Sequence, residues 1–205
     1  MLVGVFLLAG AVALPPLGEP VGDSLTIYVR DSPVGSTTRE GGSVLYRVLF
    51  KPDGYPESCS IMESTGNAII EERACMIARR RFRFHPSYGV DGQPKYRFYE
   101  QRIVFRNREG DTPLARVPPP PYILQVARLP DEGRPFIVHV NVEVDVAGGL
   151  VACAVTDEGS NPAYARAACD ALPDIWRPMV EKDMAGQPVA YVSPLRVGFE
   201  QAAPG

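Results

Sequence analysis

Val138, Val140, Val142, Val144 and Val146 alternate with His139, Asn141, Glu143 and Asp145. Apolar residues at every second position mark a strand with one buried face, because successive side chains point to opposite sides of a sheet. Val44, Tyr46, Val48 and Phe50 repeat the pattern earlier in the chain. Pro52-Asp53-Gly54 and Ala147-Gly148-Gly149 follow as turns, and residues 57–63 and 150–157 then complete two hairpins. Helices come next. Asn161-Pro162 places an N-cap residue before a first-turn proline, ahead of residues 163–172, with Pro173 as a stop. Asn67 opens residues 68–80, where Glu71 and Glu72 lie near the start and Arg79, Arg80 and Arg81 at the end, charges that suit the helix dipole. After Gly-Gln-Pro turns at 92–94 and 186–188, residues 95–106 and 189–200 read as final strands, and residues 24–30 as a strand ahead of the first hairpin.

These elements recur at a constant offset of 94 positions. The offset carries Cys59 and Cys75 to Cys153 and Cys169, Gly54 to Gly148, Asn67 to Asn161, Arg83 to Arg177, Arg102 to Arg196 and Phe105 to Phe199. The pattern predicts an α+β chain of two tandem β-β-α-β units, each with one helix packed on a small antiparallel sheet. Phe82 and Trp176 occupy equivalent positions and read as core anchors. The expected domains are 23–106 and 122–205, joined by a Pro-rich linker, 107–121, whose Pro118 to Pro121 favours an extended spacer. Residues 1–22 read as a signal peptide or short apolar leader. Positions 2–14 are uncharged and end at Ala11-Val12-Ala13, a small-x-small cleavage pattern, although no Lys or Arg precedes them. The run is too short to span a bilayer comfortably, and membrane anchoring stays open.

Each cysteine pair is separated by 16 positions. A strand carries the chain about 17 Å outward from the first cysteine, and a helix returns it roughly 12 Å to the second. The sulfurs can therefore meet, and of three possible pairings the repeat selects Cys59 with Cys75 and Cys153 with Cys169. A zinc site is the sharper alternative, but no C-x-x-C pair or histidine at ligand spacing supports it.

With 45% hydrophobic and 22% charged residues the composition is that of a globular protein, and a net charge of -3 excludes a generally cationic nucleic-acid binder. Arg79, Arg80, Arg81 and Arg83 read as solvated cations at a helix end in preference to a lipid or nucleic-acid site. His85 and His139 belong to no nucleophile or metal constellation. No catalytic residue, metal or cofactor is expected, and the chain reads as a non-enzyme.

The order of alternating strand, turn, Cys59, Glu63-Ser64-Thr65-Gly66, capped helix with Cys75, Arg81-Phe82-Arg83-Phe84-His85-Pro86, Asp91-Gly92-Gln93-Pro94 and Arg102-Ile103-Val104-Phe105 resembles the TonB C-terminal domain, in its cysteine-containing variety. The second copy is more diverged, keeping Trp176-Arg177-Pro178 but carrying Glu158-Gly159-Ser160. The resemblance implies a periplasmic module that pairs an edge strand with a segment of an outer-membrane transporter or other envelope protein by β-augmentation. The alternative is a structural or regulatory envelope protein that keeps the fold without energy transduction. The final strand of the first copy contains no proline, so Tyr96, Arg97, Phe98, Tyr99 and Arg102 are the expected partner-binding residues. Pro194 would interrupt the same pairing in the second copy.

Overall fold

The computed structural model describes residues 14–33, 41–106, 114–116, 119–129, 136–156 and 162–202. Residues 1–13 of the expected leader, most of the expected linker and the Asn161 cap lie outside these. The first half contributes β1 (Gly42–Phe50), β2 (Pro56–Glu63), α1 (Ala68–Arg81), β3 (Ser87–Tyr88) and β4 (Pro94–Phe105). Two short strands follow, β5 (Leu114–Arg116) and β6 (Tyr122–Val126). The second half contributes β7 (Phe136–Val144), β8 (Leu150–Val155), α2 (Pro162–Ile175), β9 (Glu181–Lys182), β10 (Pro188–Val189) and β11 (Tyr191–Gln201).

Local chemistry explains the first half. The alternating β1 residues Val44, Tyr46, Val48 and Phe50 are fully buried against Ile70, Ala74, Ile77 and Ala78 of α1, with Phe82, Phe84, Ile103 and Phe105 closing the core. Asn67 caps α1 by accepting from the Ile69 N–H at 3.1 Å. Glu71 reaches back from the first turn to accept from the Ser64 hydroxyl at 2.6 Å and the Thr65 N–H at 2.7 Å, so the Ser64-Thr65-Gly66 turn and the helix start are one hydrogen-bonded unit. Gly66 makes that turn with φ +75°. In the second half Val138, Val140 and Val142 pack on Ala165, Ala168 and Leu172, together with Val197 and Phe199. Cys59–Cys75 and Cys153–Cys169 are both bonded, each tying the second strand of a hairpin to its helix.

The two halves do not form separate sheets. One sheet runs β2-β1-β4-β11-β7-β8, because β4 and β11 pair in parallel through Tyr96 with Tyr191 and Arg97 with Val192. Residues paired across a ladder share a face. Tyr96 lies on the face of β4 turned away from α1, whereas Tyr191 lies on the α2 side of β11, so the two helices cover opposite faces. A third core fills this joint, made of Leu49, Phe98, Val144 and Tyr191 with Tyr96 and Trp176 packed against it. Reciprocal hydrogen bonds reinforce it. The Val90 N–H of the first half donates to Glu143 at 2.7 Å, and the equivalent Met184 N–H of the second donates to Glu57 at 3.1 Å.

Other expectations need correction. The expected linker, 107–121, is not wholly a free spacer, since β5 within it pairs with β4, and β6 directly after it pairs with β11. Residues 24–30 form a turn and a short 3-10 helix, Val29–Asp31, where Asp31 accepts from the Tyr28 N–H. α2 passes through Pro173 to Ile175, because a proline in the last turn forfeits one backbone bond and the Trp176 N–H still reaches the Leu172 carbonyl at 2.9 Å. Trp176 sits between the second core and the joint, whereas its counterpart Phe82 is wholly inside the first core. The expected leader range, 1–22, overlaps the fold at its end. His85 N–H donates to the Glu19 carbonyl at 2.9 Å and Val21 N–H to the Arg83 carbonyl at 3.0 Å, which makes this stretch part of the fold.

Candidate partner-binding surface

The strand expected to receive a partner is β4, and its residues are already engaged. Tyr96 and Arg97 pair with β1 or β11 neighbours, Arg97 with Phe50 on one side and Val192 on the other. Arg102 pairs with Leu45 and with Arg116 of β5, and its guanidinium holds Glu63 at 2.6 Å. Arg97 is buried with its guanidinium 3.9 Å above the Phe84 ring, and it donates to the Gly18 carbonyl. Burial pulls its pKa down to about 10. Tyr99 stands against Phe82 and Phe84 in the first core, and burial raises its pKa. Phe98 is edge-on to Tyr191 in the joint. Tyr96, Arg97, Phe98 and Tyr99 pack within the fold and Arg102 is ion-paired, and a strand could join β4 along Tyr96, Arg97 and Arg102 only by displacing β11 or β5.

Pro194 fits this arrangement. It pairs with Asn141 of β7, in the stretch of β11 between the β4 ladder, which ends at Val192, and the β6 ladder, which begins at Val197. A residue without an N–H is tolerated where one neighbour is missing.

β2 and β8 end the sheet order. They differ in chemistry. β2 begins at Pro56 and carries Glu57 and Glu63, residues of the kind that guard an edge against added strands. β8 reads Leu-Val-Ala-Cys-Ala-Val, with no charge and no proline, and Val151 is 48% exposed. In the sequence this uncharged run signals only the second strand of a hairpin, and nothing local marks it as a sheet edge.

A groove lies where β4 and β11 diverge. Its walls include Phe98, Tyr122, Trp176 and Tyr191, enclosing about 250 Å³. Arg47 spans it, 2.6 Å from Glu100, 3.5 Å from Glu181 and 5.0 Å above the Phe98 ring. Burial raises the Glu181 pKa against the opposing pull of Arg47. Burial and the nearby Glu181 push the Tyr191 phenol up to about 12. Arg47 and Glu181 were not singled out from the sequence, and the available signals were apolar Leu49 on the outward face of β1 and Phe98 on that of β4. Among the described residues no group of three or more His, Cys, Asp or Glu side chains is placed to hold a metal ion, and no helix among them is long and apolar enough to cross a membrane.

No curated protein and no solved structure matches the chain. Residues 36–106, the segment that holds β1 through β4, match the family model of the Gram-negative bacterial TonB protein C-terminal, and this part of the chain is similar to that family of non-catalytic periplasmic interaction domains.

Proposed function

We propose that the chain is a non-catalytic periplasmic module of the TonB C-terminal type that takes up an extended segment of an outer-membrane transporter, or of another envelope protein, as an added strand in energy-coupled transport. The match of residues 36–106 to that family carries the reading. We take the second half as a diverged copy of the same unit, supported by the order β7, β8, α2, β11 and by a second disulfide with the same separation of 16. β-Augmentation needs a strand edge with free backbone groups and little charge to desolvate. β8 meets this requirement in the assembled sheet, whereas β4 meets it only if the joint opens.

A titration of the isotopically labelled full chain with a synthetic peptide from the periplasmic end of an outer-membrane transporter tests the proposal. Amide shifts centred on β8, abolished in Val151→Pro, are expected. Shifts across β4 and β11 together would mean that the peptide enters through the joint. No saturable shift in any strand of a folded sample would overturn strand addition. That last result would favour the second reading, an envelope protein that keeps the fold without transporter pairing, which the pairing of β11 and β5 along β4 supports.

A further inference from the structure

Four arginines from two separate segments converge on one cleft. Arg73, Arg80 and Arg81 project from α1 and Arg30 from the 3-10 turn beside it, lining a space of about 270 Å³ with Ile77 on its apolar wall. The single carboxylate there is Asp31, which is buried and already committed. It accepts from the Arg81 guanidinium at 2.5 Å and from the Tyr28 N–H at 2.6 Å. Arg73 is held by donating to the backbone carbonyls of Asp31 and Arg30, each at 2.7 Å. Those oxygens orient the guanidinium without neutralising it. Arg30 is exposed and lies 4.6 Å from the centre of the Tyr28 ring, and Arg80 is exposed one residue before the end of α1.

Arg81 has its countercharge in Asp31, while Arg30, Arg73 and Arg80 have no carboxylate partner among the described residues. This concentration of positive charge stands out in a chain whose net charge is -3. We infer that the cleft is a binding site for a phosphate group. The planar guanidinium fork matches phosphate oxygens in pairs, and a tetrahedral dianion can engage several forks at once, whereas a carboxylate saturates one. Arg73 and Arg81 are preorganised by bonds the protein makes in any case, which lowers the ordering cost of binding. The site lies on α1 and the segment before β1, away from β8 and from the joint, and does not depend on how a partner strand is taken up.

The test uses the full chain at low ionic strength, titrated with inorganic phosphate and followed through the arginine Nε–H resonances, with chloride at matched ionic strength as the control. Saturable shifts of Arg73 and Arg80 are expected. The double variant Arg30→Gln/Arg80→Gln should weaken binding by about tenfold or more, a change of about 1.4 kcal/mol. Neither side chain donates a hydrogen bond within the described protein, so only the Arg30 contact with the Tyr28 ring and one helix-end charge are lost, and the thermal midpoint should fall only slightly. Arg79→Gln removes an exposed arginine of the same helix that does not line the cleft, and should leave the affinity unchanged. An unsaturable response, or equal loss in Arg79→Gln, would show diffuse attraction by net charge and overturn the site. Sedimentation with phosphatidylcholine vesicles, with and without phosphatidylglycerol, identifies the source of the phosphate. Cleft-dependent sedimentation with the anionic vesicles alone means a lipid headgroup, and binding of inorganic phosphate without sedimentation means a soluble phosphate ester.

Discussion

Replacing Phe98 with alanine tests whether the two halves stand or fall together. Phe98 is 6% exposed, and its ring meets Tyr191 edge-on with centroids 4.9 Å apart while Arg47 covers it at 5.0 Å. Truncating a buried phenylalanine costs about 3 to 5 kcal/mol, a figure that already contains its ring contacts. Arg47 keeps Glu100 and Glu181, so no charge is orphaned, and the low end, about 3 kcal/mol, is expected. At a urea slope near 3 kcal/mol per M, the midpoint should fall by about 1 M. Trp176 is the sole tryptophan and packs at the joint, so its fluorescence reports the joint while far-UV circular dichroism reports both halves. Both probes should follow one coincident transition before and after the substitution. An unchanged midpoint, or a wild-type protein whose two signals separate into distinct steps, would refute the shared-core reasoning. The halves would then be independent domains that merely touch.

Three further outcomes follow from local geometry. Gly54 has φ +82°, and an added Cβ would lie 1.8 Å from the Phe84 carbonyl oxygen, whereas at Gly66, with φ +75°, it would meet nothing. Gly66→Ala should therefore cost only the left-handed penalty of about 1 to 2 kcal/mol and Gly54→Ala distinctly more in chemical denaturation; equal losses would contradict the close approach. Removing one disulfide by Cys59→Ser/Cys75→Ser should lower stability by about 3 kcal/mol, the value for a loop near 15 residues, and peptide mapping of the wild type should find no bridge between the halves. The Ser64 hydroxyl and Thr65 N–H hold the Glu71 carboxyl below its ordinary value. Its contribution is present above about pH 4.3 and disappears as pH falls through the folded-state value, so the thermal midpoints of wild type and Glu71→Gln should differ at pH 7 and converge in acid; a constant difference would count against this bond.

Elements governed by short-range pattern were legible in the sequence. Val138 to Val144 announce β7 by alternation, Asn67 announces α1 by its cap, and the 16-residue spacing announces both disulfides. The joint was not legible, for a physical reason. Pairing of β4 with β11 is a contact between strands almost a hundred positions apart, and no local periodicity encodes which edge a strand will meet. Its trace was an anomaly: Leu49 is apolar on the face of β1 that should meet water, and Phe98 likewise on β4. Both are buried because the second half supplies Tyr191 and Val144. β5 and β6 were hidden among prolines that argue locally for an extended spacer, and pairing with β4 and β11 overrides that preference. The arginine cleft was half visible, since the run at 79–83 is plain but its convergence with Arg30 depends on the fold.

The joint also decides between two routes for an incoming strand. Entry along the full length of β4 requires β5 and β11 to leave, and the loss of β11 alone exposes Leu49, Phe98 and Tyr191, three large side chains each at most 6% exposed. At about 1.5 to 3 kcal/mol for each, this costs about 5 to 9 kcal/mol before the reciprocal bonds from Val90 and Met184 are counted. The return is small, because replacing the two-residue β11 ladder by a partner's backbone exchanges hydrogen bonds at a net gain of only about 1 kcal/mol apiece. Addition at β8 displaces no strand among the described residues and covers Val151 and Val155, which are exposed in the unbound protein. A partner that did enter at β4 would therefore have to fill the place of Tyr191 with an aromatic side chain of its own. A peptide lacking such a residue should bind at β8 or not at all.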